Sequence, residues 1–355
     1  MKLRQQLLQP GVLAALLAAL LFGAGTPLAK LLLTSLNPWL LAGLLYLGSG
    51  LGMTLYRAIT GARPVHLARN EWPWLLGAVL SGGVIAPVLL MFGLRGMPAS
   101  GASLLLNAEG VFTALLAWFA FKENFDRRIA LGMLAILAGA LILNWPSESN
   151  QLKGTNLWPA LAILGACFAW GLDNNLTRKV SLTDATWIAA VKGMTAGLVN
   201  LTIAVLLGIG TWPSVLTVSM AMLVGLVAYG ISLALFVVAL RHLGTARTGA
   251  YFSVAPFFGA MLALAMGDVI TLPLLIAGLL MAIGVWLHLS ENHTHLHQHE
   301  PMEHEHEHTH DEHHQHEHEH DEPVTPGTKH RHRHRHEVLP QSHPHFPDSH
   351  HSHDH

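Results

Sequence analysis

Between residues 11 and 290 the chain repeats one pattern ten times: an apolar run of about 20 residues. At 1.5 Å rise per residue a helix of that length spans a hydrocarbon core roughly 30 Å thick. A water-soluble core needs no such regular lengths. The runs lie at about 11–33, 38–57, 72–94, 99–121, 127–145, 157–176, 184–209, 217–240, 246–267 and 271–290. Glycine and proline punctuate their ends, as at Asn37-Pro38, Gly61 to Pro64, Met97-Pro98 and Trp212-Pro213. The pattern predicts an all-α integral membrane protein of ten transmembrane helices. The first run follows Lys2 and Arg4 as a signal peptide would, but it is longer than a usual signal stretch and nine similar runs follow. It is therefore read as a retained span.

The average composition, 51% hydrophobic and 12% charged, conceals a second and unlike piece. Of 26 histidines, 23 lie between His293 and His355, leaving His66, His242 and His288 in the apolar part. The single cysteine, Cys167, sits inside an apolar run. That excludes a disulfide framework and a cysteine metal cluster within one chain, and the residue reads as a small buried apolar group.

Lysine and arginine between the runs set the orientation. With the N-terminus inside, the inner segments hold Lys2, Arg4, Arg57, Arg63, Arg69, Lys122, Arg127, Arg128, Arg178, Lys179, Arg241 and Arg247, against Lys30, Arg95 and Lys153 outside. This asymmetry predicts that the N- and C-termini both lie in the cytoplasm.

The first five runs resemble the second five. Trp39 and Gly77 match Trp187 and Gly225 at a spacing of 148, and Leu94 and Gly132 match Leu240 and Gly278 at 146. Five is odd, so the second copy must lie inverted relative to the first, the arrangement of alternating-access transporters with a site between the halves. The expected parts are a five-helix repeat at 1–145, a second at 146–290, and a tail at 291–355.

Two halves of five spans resemble the drug/metabolite transporter superfamily, most closely its EamA-type branch. The first span ends Phe22-Gly23-Ala24-Gly25, with Trp170-Gly171-Leu172-Asp173 as its counterpart. LRGMPASGASLLLNAEGVFTALLAWFAFKE recurs as LRHLGTARTGAYFSVAPFFGAMLALAMGD. The resemblance covers about residues 10–290 and departs at the fourth span, where Glu109-Gly110 faces Ala255-Pro256 in the second half. It implies a transporter of the bacterial inner membrane, most often an exporter, of amino acids, metabolites or other small organic solutes. No catalysis is expected, and the absence of nucleotide-binding motifs leaves an ion or solute gradient as the energy source.

Charged groups deep in a bilayer cost several kcal/mol and persist where they face a cavity or a partner. Glu109, Asp173 and Lys192 are the ones here, with Asn107, Asn174 and Asn175 beside them. Asp173 and Lys192 stand about ten residues either side of the turn at Ser181 to Asp184, at similar depth in a hairpin, so an ion pair is expected. It either fixes helix packing or takes part in substrate binding. Glu109 has no lysine or arginine at its depth on a neighbouring span. It is the candidate for coupling transport to protons, or else a glutamic acid bonded to helix backbone. Tyr229, Thr26, Ser81 and Ser232 are candidates for lining a central cavity, although hydroxyls also bond across membrane helices. Gly48, Gly50 and Gly52 read as points of close helix approach.

The tail reads HEHEHTHDEHHQHEHEH from His304 to His320. Neutral imidazole binds zinc, nickel, cobalt and copper, so His304, His306, His308, His310, His313, His314, His316, His318 and His320 are the candidate ligands for a divalent transition metal. With almost nothing apolar to bury, this tail is expected to be disordered. H-E-x-x-H begins at His304, His306 and His316, but a His-Glu repeat generates that motif automatically, and the zinc-protease reading requires a helix. The block KHRHRHRH from Lys329 to His336 would suit an anionic lipid surface.

Three functions follow: transport of a small organic or metal-chelated solute with the tail modulating it, efflux of the metal ion itself, or a membrane-tethered metal store. The spans lack a central histidine, which favours the first. No cofactor is required beyond metal on the tail. The expected partners are the substrate and the lipid bilayer, no nucleic acid is expected, and a homodimer is compatible with the sequence.

Overall fold

The structure, a computed structural model, describes residues 10–65, 67–121, 127–144, 157–180, 183–208, 213–236, 238–239, 251–289, 294–298, 303–308, 330–335 and 340–344. It divides into two units, Met1–Glu291 and Asn292–His355.

The first unit is helical. Its elements are α1 (Pro10–Leu32), α2 (Pro38–Ile59), α3 (Trp72–Ala78), a π segment (Val79–Ile85), α4 (Ala86–Gly96), α5 (Ala99–Leu105), α6 (Ala108–Phe121), α7 (Arg127–Leu143), α8 (Trp158–Arg178), α9 (Ala185–Leu206), α10 (Val215–Gly225), a second π segment (Leu226–Ile231), α11 (Ala255–Ala265) and α12 (Leu272–Leu289). Six continuous helices among the described residues are long and apolar enough to cross a membrane: Gly11–Leu32, Pro38–Ile59, Trp72–Gly96, Ala99–Leu116, Ala185–Leu206 and Val215–Phe236. Shorter apolar helices run over Ala130–Leu143, Ala255–Ala265 and Leu272–Leu287. α8 is 21 residues long but carries Asp173, Asn174 and Asn175. Large side chains such as Ile59, Leu206 and Val215 stand exposed on the outer surface, as a lipid-facing protein requires.

Short polar side chains start the helices where the chain turns. Asn37 Oδ1 accepts from the Trp39 amide (2.9 Å), and Asp184 Oδ1 accepts from those of Thr186 (2.8 Å) and Trp187 (3.2 Å). Lysine serves the opposite end, with Lys30 Nζ donating to the Leu94, Arg95 and Met97 carbonyls at the close of α4.

Apolar burial gives no preference for one helix over another in lipid, so small residues decide which helices meet. α2 and α9 pack along their length. A methyl group on Gly193 would lie 2.6 Å from the Gly50 amide nitrogen, and one on Gly197 would lie 2.6 Å from that of Leu47. α7 and α12 form a second pair, α8 packs on α4, α6 and the first π segment, and α1 packs on α11 and the second π segment.

The second unit is described only at four short segments. Four strands, β1 (Thr294–Gln298), β2 (Glu303–His308), β3 (His330–Arg335) and β4 (Pro340–Pro344), form two antiparallel pairs, β1 with β4 and β2 with β3. In the β2–β3 register Glu303, Glu305 and Glu307 are the Cα partners of Arg335, Arg333 and Arg331. His310, His313, His314, His316, His318 and His320 lie outside the described residues, as do His242, Arg241 and Arg247.

Candidate translocation site

Proline creates the first feature of the site. Pro87 lies four residues after Gly83 and five after Gly82 and has no N–H, so the backbone carbonyls of both glycines lose the donor that α or π geometry would bring them. Three side chains from three other helices fill the vacancy. Tyr46 Oη on α2 donates to the Gly82 carbonyl (2.6 Å), as does Trp170 Nε1 on α8 (3.0 Å), and Asn200 Nδ2 on α9 donates to the Gly83 carbonyl (3.2 Å). All three residues are buried. A kink that would otherwise strand two polar groups in an apolar interior thus becomes the point where α2, α8 and α9 are tied together.

Asp173 projects from α8 onto the same π segment. Gly82 has room for it only because it lacks a side chain, since an added Cβ would fall within bonding distance of the carboxylate. Asp173 Oδ2 pairs with Lys192 Nζ of α9, and Oδ1 accepts from Thr177 (2.9 Å). The structure therefore brings together the two charges that the sequence placed at one depth. Their side chains are only 7% and 16% exposed, so breaking the pair would leave a charge with little solvent around it.

Glu109 belongs to a neighbouring group that faces a different way. The fourth apolar run is interrupted at Leu106–Asn107 between α5 and α6, and Glu109 lies in the first turn of α6, where the helix dipole favours an anion. Asn174, adjacent to Asp173 on α8, donates through Nδ2 to Glu109 Oε1 (2.8 Å) and to Thr113 Oγ1 (3.2 Å). Asn175 Nδ2 reaches the carbonyls of Thr113 (3.1 Å) and Gly171 (2.8 Å). Among the described residues Glu109 makes no ion pair, so an amide, and not a cation, meets its carboxylate. Asn107 does not join this group: its amide donates to the Leu104 carbonyl (2.9 Å) and so closes the helix break. Cys167, fully buried, places its thiol 3.6 Å from the Leu105 carbonyl at the same break.

Tyr229 sits in the second π segment. Its ring stacks on Tyr46 (5.5 Å between centroids) and meets Phe22 edge-on (5.8 Å). Phe22 also contacts Phe252, which contacts Phe236. Two of the hydroxyls expected at a cavity instead bond helix backbone, Ser81 to Gly77 (2.8 Å) and Ser232 to Ala18 (2.9 Å). Tyr46 and Asn200 carry no sequence signal of their own, and Trp170 enters the sequence reading only within the Trp170-Gly171-Leu172-Asp173 motif. The signal for them is Gly82-Gly83 followed by Pro87 in mid-span, which announces two carbonyls in need of donors.

Among the described residues no three His, Cys, Asp or Glu side chains group to hold a metal ion. The site is instead an ion pair, an amide-bound carboxylate and a cluster of aromatic rings around two interrupted helices.

The EamA-like transporter family matches residues 9–145. An uncharacterized transporter of Methanothermobacter thermautotrophicus is 30% identical over 292 residues, covering 78% of this chain and 85% of that protein. The chain belongs to the EamA-like transporter family. Two further relatives of this EamA-like transporter match over shorter stretches. A probable amino-acid metabolite efflux pump of Salmonella typhimurium is 30% identical over 171 residues, 47% of this chain and 52% of that protein. A probable 4-amino-4-deoxy-L-arabinose-phosphoundecaprenol flippase subunit ArnE of Pseudomonas aeruginosa is 32% identical over 115 residues, 32% of this chain and 95% of that protein. A crystal structure superposes with a TM-score of 0.59 at 18% identity, covering 77% of this chain and 94% of the other, which supports the fold. The EamA-like transporter is thus a multi-pass membrane protein.

Proposed function

We propose that this EamA-like transporter is a ten-span secondary transporter of two inverted repeats, 1–145 and 146–290, and that it exports a small organic solute bearing an amino group. The observation that carries the reading is a pair of interrupted helices. The break at Leu106–Asn107 recurs at Ser253–Val254, 147 residues later, and the π segment starting at Val79 recurs at Leu226 with the same spacing. The N-caps Asn37 and Asp184 keep that spacing too. Broken helices at corresponding positions of two halves are where such transporters bind solute.

Glu109, met only by an amide and at a helix start, suits a solute ammonium group or a transported proton in turn. Asp173 and Lys192 position α8 beside it. The amino group is also common to the names of the efflux-pump and flippase relatives. The lysine and arginine distribution supports an inner-membrane location with both termini cytoplasmic. The histidine tail, residues 291–355, is read as a divalent-metal binder that modulates the transporter. Efflux of a bare metal ion draws no support from the described residues of the spans.

Proteoliposomes test this reading. Wild-type protein should exchange a labelled amino acid or amine across the bilayer, and a pH gradient should drive net movement. Glu109→Gln should lower gradient-driven flux at least about tenfold while the protein stays folded, the scale of a lost proton-transfer group. Undiminished flux removes Glu109 from coupling. A wild-type protein that moves divalent metal and no amino compound overturns the solute assignment.

A further inference from the structure

Two residues beside Glu109 are exposed on sides of their helices that should be buried. On α8 the exposed apolar side chains Leu161, Phe168 and Leu172 mark the side that faces lipid. Asn174 lies about 200° round the helix from Leu172, at about 100° per residue. That is the side of Trp170 and Cys167, which are 6% and 0% exposed, yet Asn174 is exposed. On α6 the same disagreement falls at Gly110. It precedes Phe119 by two and a half helical turns, hence stands about 180° from that ring, which is 72% exposed, and it too is exposed. A methyl group added at Gly110 would meet nothing within 4 Å, whereas one on Gly171, in the α6–α8 contact, would lie 3.0 Å from Phe112 Cβ and from the Thr113 amide nitrogen. An opening therefore lies beside the α6–α8 contact, on the side of each helix that points away from lipid.

Acceptors without a donor stand at this opening. Asn174 commits its Nδ2 to Glu109 Oε1 (2.8 Å) and Thr113 Oγ1 (3.2 Å). Its Oδ1 and the second carboxylate oxygen, Glu109 Oε2, have no hydrogen-bond partner among the described residues. A hydroxyl oxygen that accepts once keeps a second lone pair, so Thr113 Oγ1 is a third acceptor. We propose that Glu109 Oε2, Asn174 Oδ1 and Thr113 Oγ1 form a cradle for a primary ammonium group, and that Gly110 keeps clear the space of the carbon skeleton attached to it and so limits solute size. This rests on the reading that Glu109 meets the solute's amino group, and adds the class of amine and the residues that select it. A primary ammonium carries three N–H donors for the three acceptors. A quaternary ammonium carries none and would leave all three against methyl groups. Thr113 follows Glu109 by one turn of α6 while Asn174 comes from α8, so the acceptors converge from two helices. Asn175 donates to the Thr113 carbonyl (3.1 Å) and so holds the turn of α6 that carries the hydroxyl.

The test uses the full chain in proteoliposomes, with exchange of labelled alanine and of labelled phenylalanine measured side by side. Gly110→Leu should lower phenylalanine exchange at least about tenfold relative to alanine exchange. It should not lower the temperature of thermal unfolding, because the added side chain enters open space. Gly278→Ala on α12, where the methyl meets only the end of Leu104 at 3.6 Å, should leave the ratio as it is. With wild-type protein, unlabelled N,N,N-trimethylalanine should compete at least about tenfold more weakly than unlabelled alanine, and Asn174→Leu should narrow that gap. An unchanged ratio in a folded Gly110→Leu protein overturns the size limit. Equal competition by the trimethylated compound overturns the cradle, and a gap undiminished by Asn174→Leu removes Asn174 from it. In each of these cases exchange by wild-type protein leaves the solute assignment standing. If wild-type protein exchanges neither amino acid, that assignment and the cradle fall together.

Discussion

The two π segments of this EamA-like transporter lie 147 residues apart, begin at equivalent points of their spans, and have been put to different uses. The first, Val79–Ile85, precedes Pro87 and contains Gly82-Gly83; it collects Tyr46, Trp170 and Asn200 on its carbonyls and admits the Asp173 carboxylate beside Gly82. The second, Leu226–Ile231, has no proline after it and is bordered by Tyr229, Phe22 and Phe252. One backbone feature thus carries a polar anchor in the first segment and an aromatic surface in the second. The lesson is physical: a widened helical turn exposes carbonyls, and whether donors or rings surround it decides its chemistry.

The ion pair beside the first π segment gives the widest contrast between the two segments. Asp173→Ala should destabilise the folded protein by about 3–5 kcal/mol, because Lys192 is left charged and nearly buried. Asp173→Leu with Lys192→Met should recover most of that loss. Thermal unfolding followed by size-exclusion fluorescence reads both, and recovered folding without recovered transport would assign the pair to solute handling. No ion pair borders the second π segment among the described residues, so substitutions beside Tyr229 should not show this pattern.

One glycine from each segment sharpens the contrast next. Gly82→Ala drives a methyl into Asp173 and should cost about 1–3 kcal/mol. Gly230→Ala meets the ends of the Leu226 (3.2 Å), Met53 (3.5 Å) and Ser49 (3.5 Å) side chains, no backbone, and should be neutral or gain up to about 1 kcal/mol from helix propensity. Equal effects at the two sites would mean that the segments are not differently used. Tyr46→Phe and Trp170→Phe should each lower stability by about 1 kcal/mol, and together by more than the sum, since the second change orphans the Gly82 carbonyl. Tyr229→Phe should have almost no effect on stability.

The smallest effect lies at the end of the α2–α9 pair. Asp184 caps α9 and pairs with Arg57 at 2.8 Å. Burial, the largest influence on its carboxyl, pushes it up, but hydrogen bonds from Thr186, Arg57 and the Trp187 amide together hold it below the usual carboxylate range. A carboxyl so depressed contributes stability above its unfolded value, near 3.9, and loses it as pH falls through the lower folded value. The site is a third exposed, so the contribution should be under about 1 kcal/mol. Asp184→Asn should flatten the acid side of the stability profile by that amount, whereas Asn37, its uncharged counterpart on α2, should confer no pH dependence on replacement by Ser.

Much of this was legible residue by residue. The lengths of the apolar runs announced membrane helices, the glycines of α2 announced close packing, and the depth of Asp173 and Lys192 announced their pairing, because each signal is local or follows from one hairpin. The partners of Glu109 and Gly82 were not legible. Asn174 was named only as a neutral companion, and Tyr46 and Trp170 are ordinary residues until α2 and α8 are set against the π segment.

By itself, then, the sequence determined the class of the protein, its family and its charged positions, since hydropathy, helix length and side-chain chemistry are properties of the chain. Only the tertiary structure decided that one π segment is clamped and the other ringed by aromatics, that an amide meets Glu109, and that Glu and Arg of the tail stand in register. Those are distances between segments far apart in the chain. They depend on which helices small residues allow to touch, and no single stretch of residues contains that.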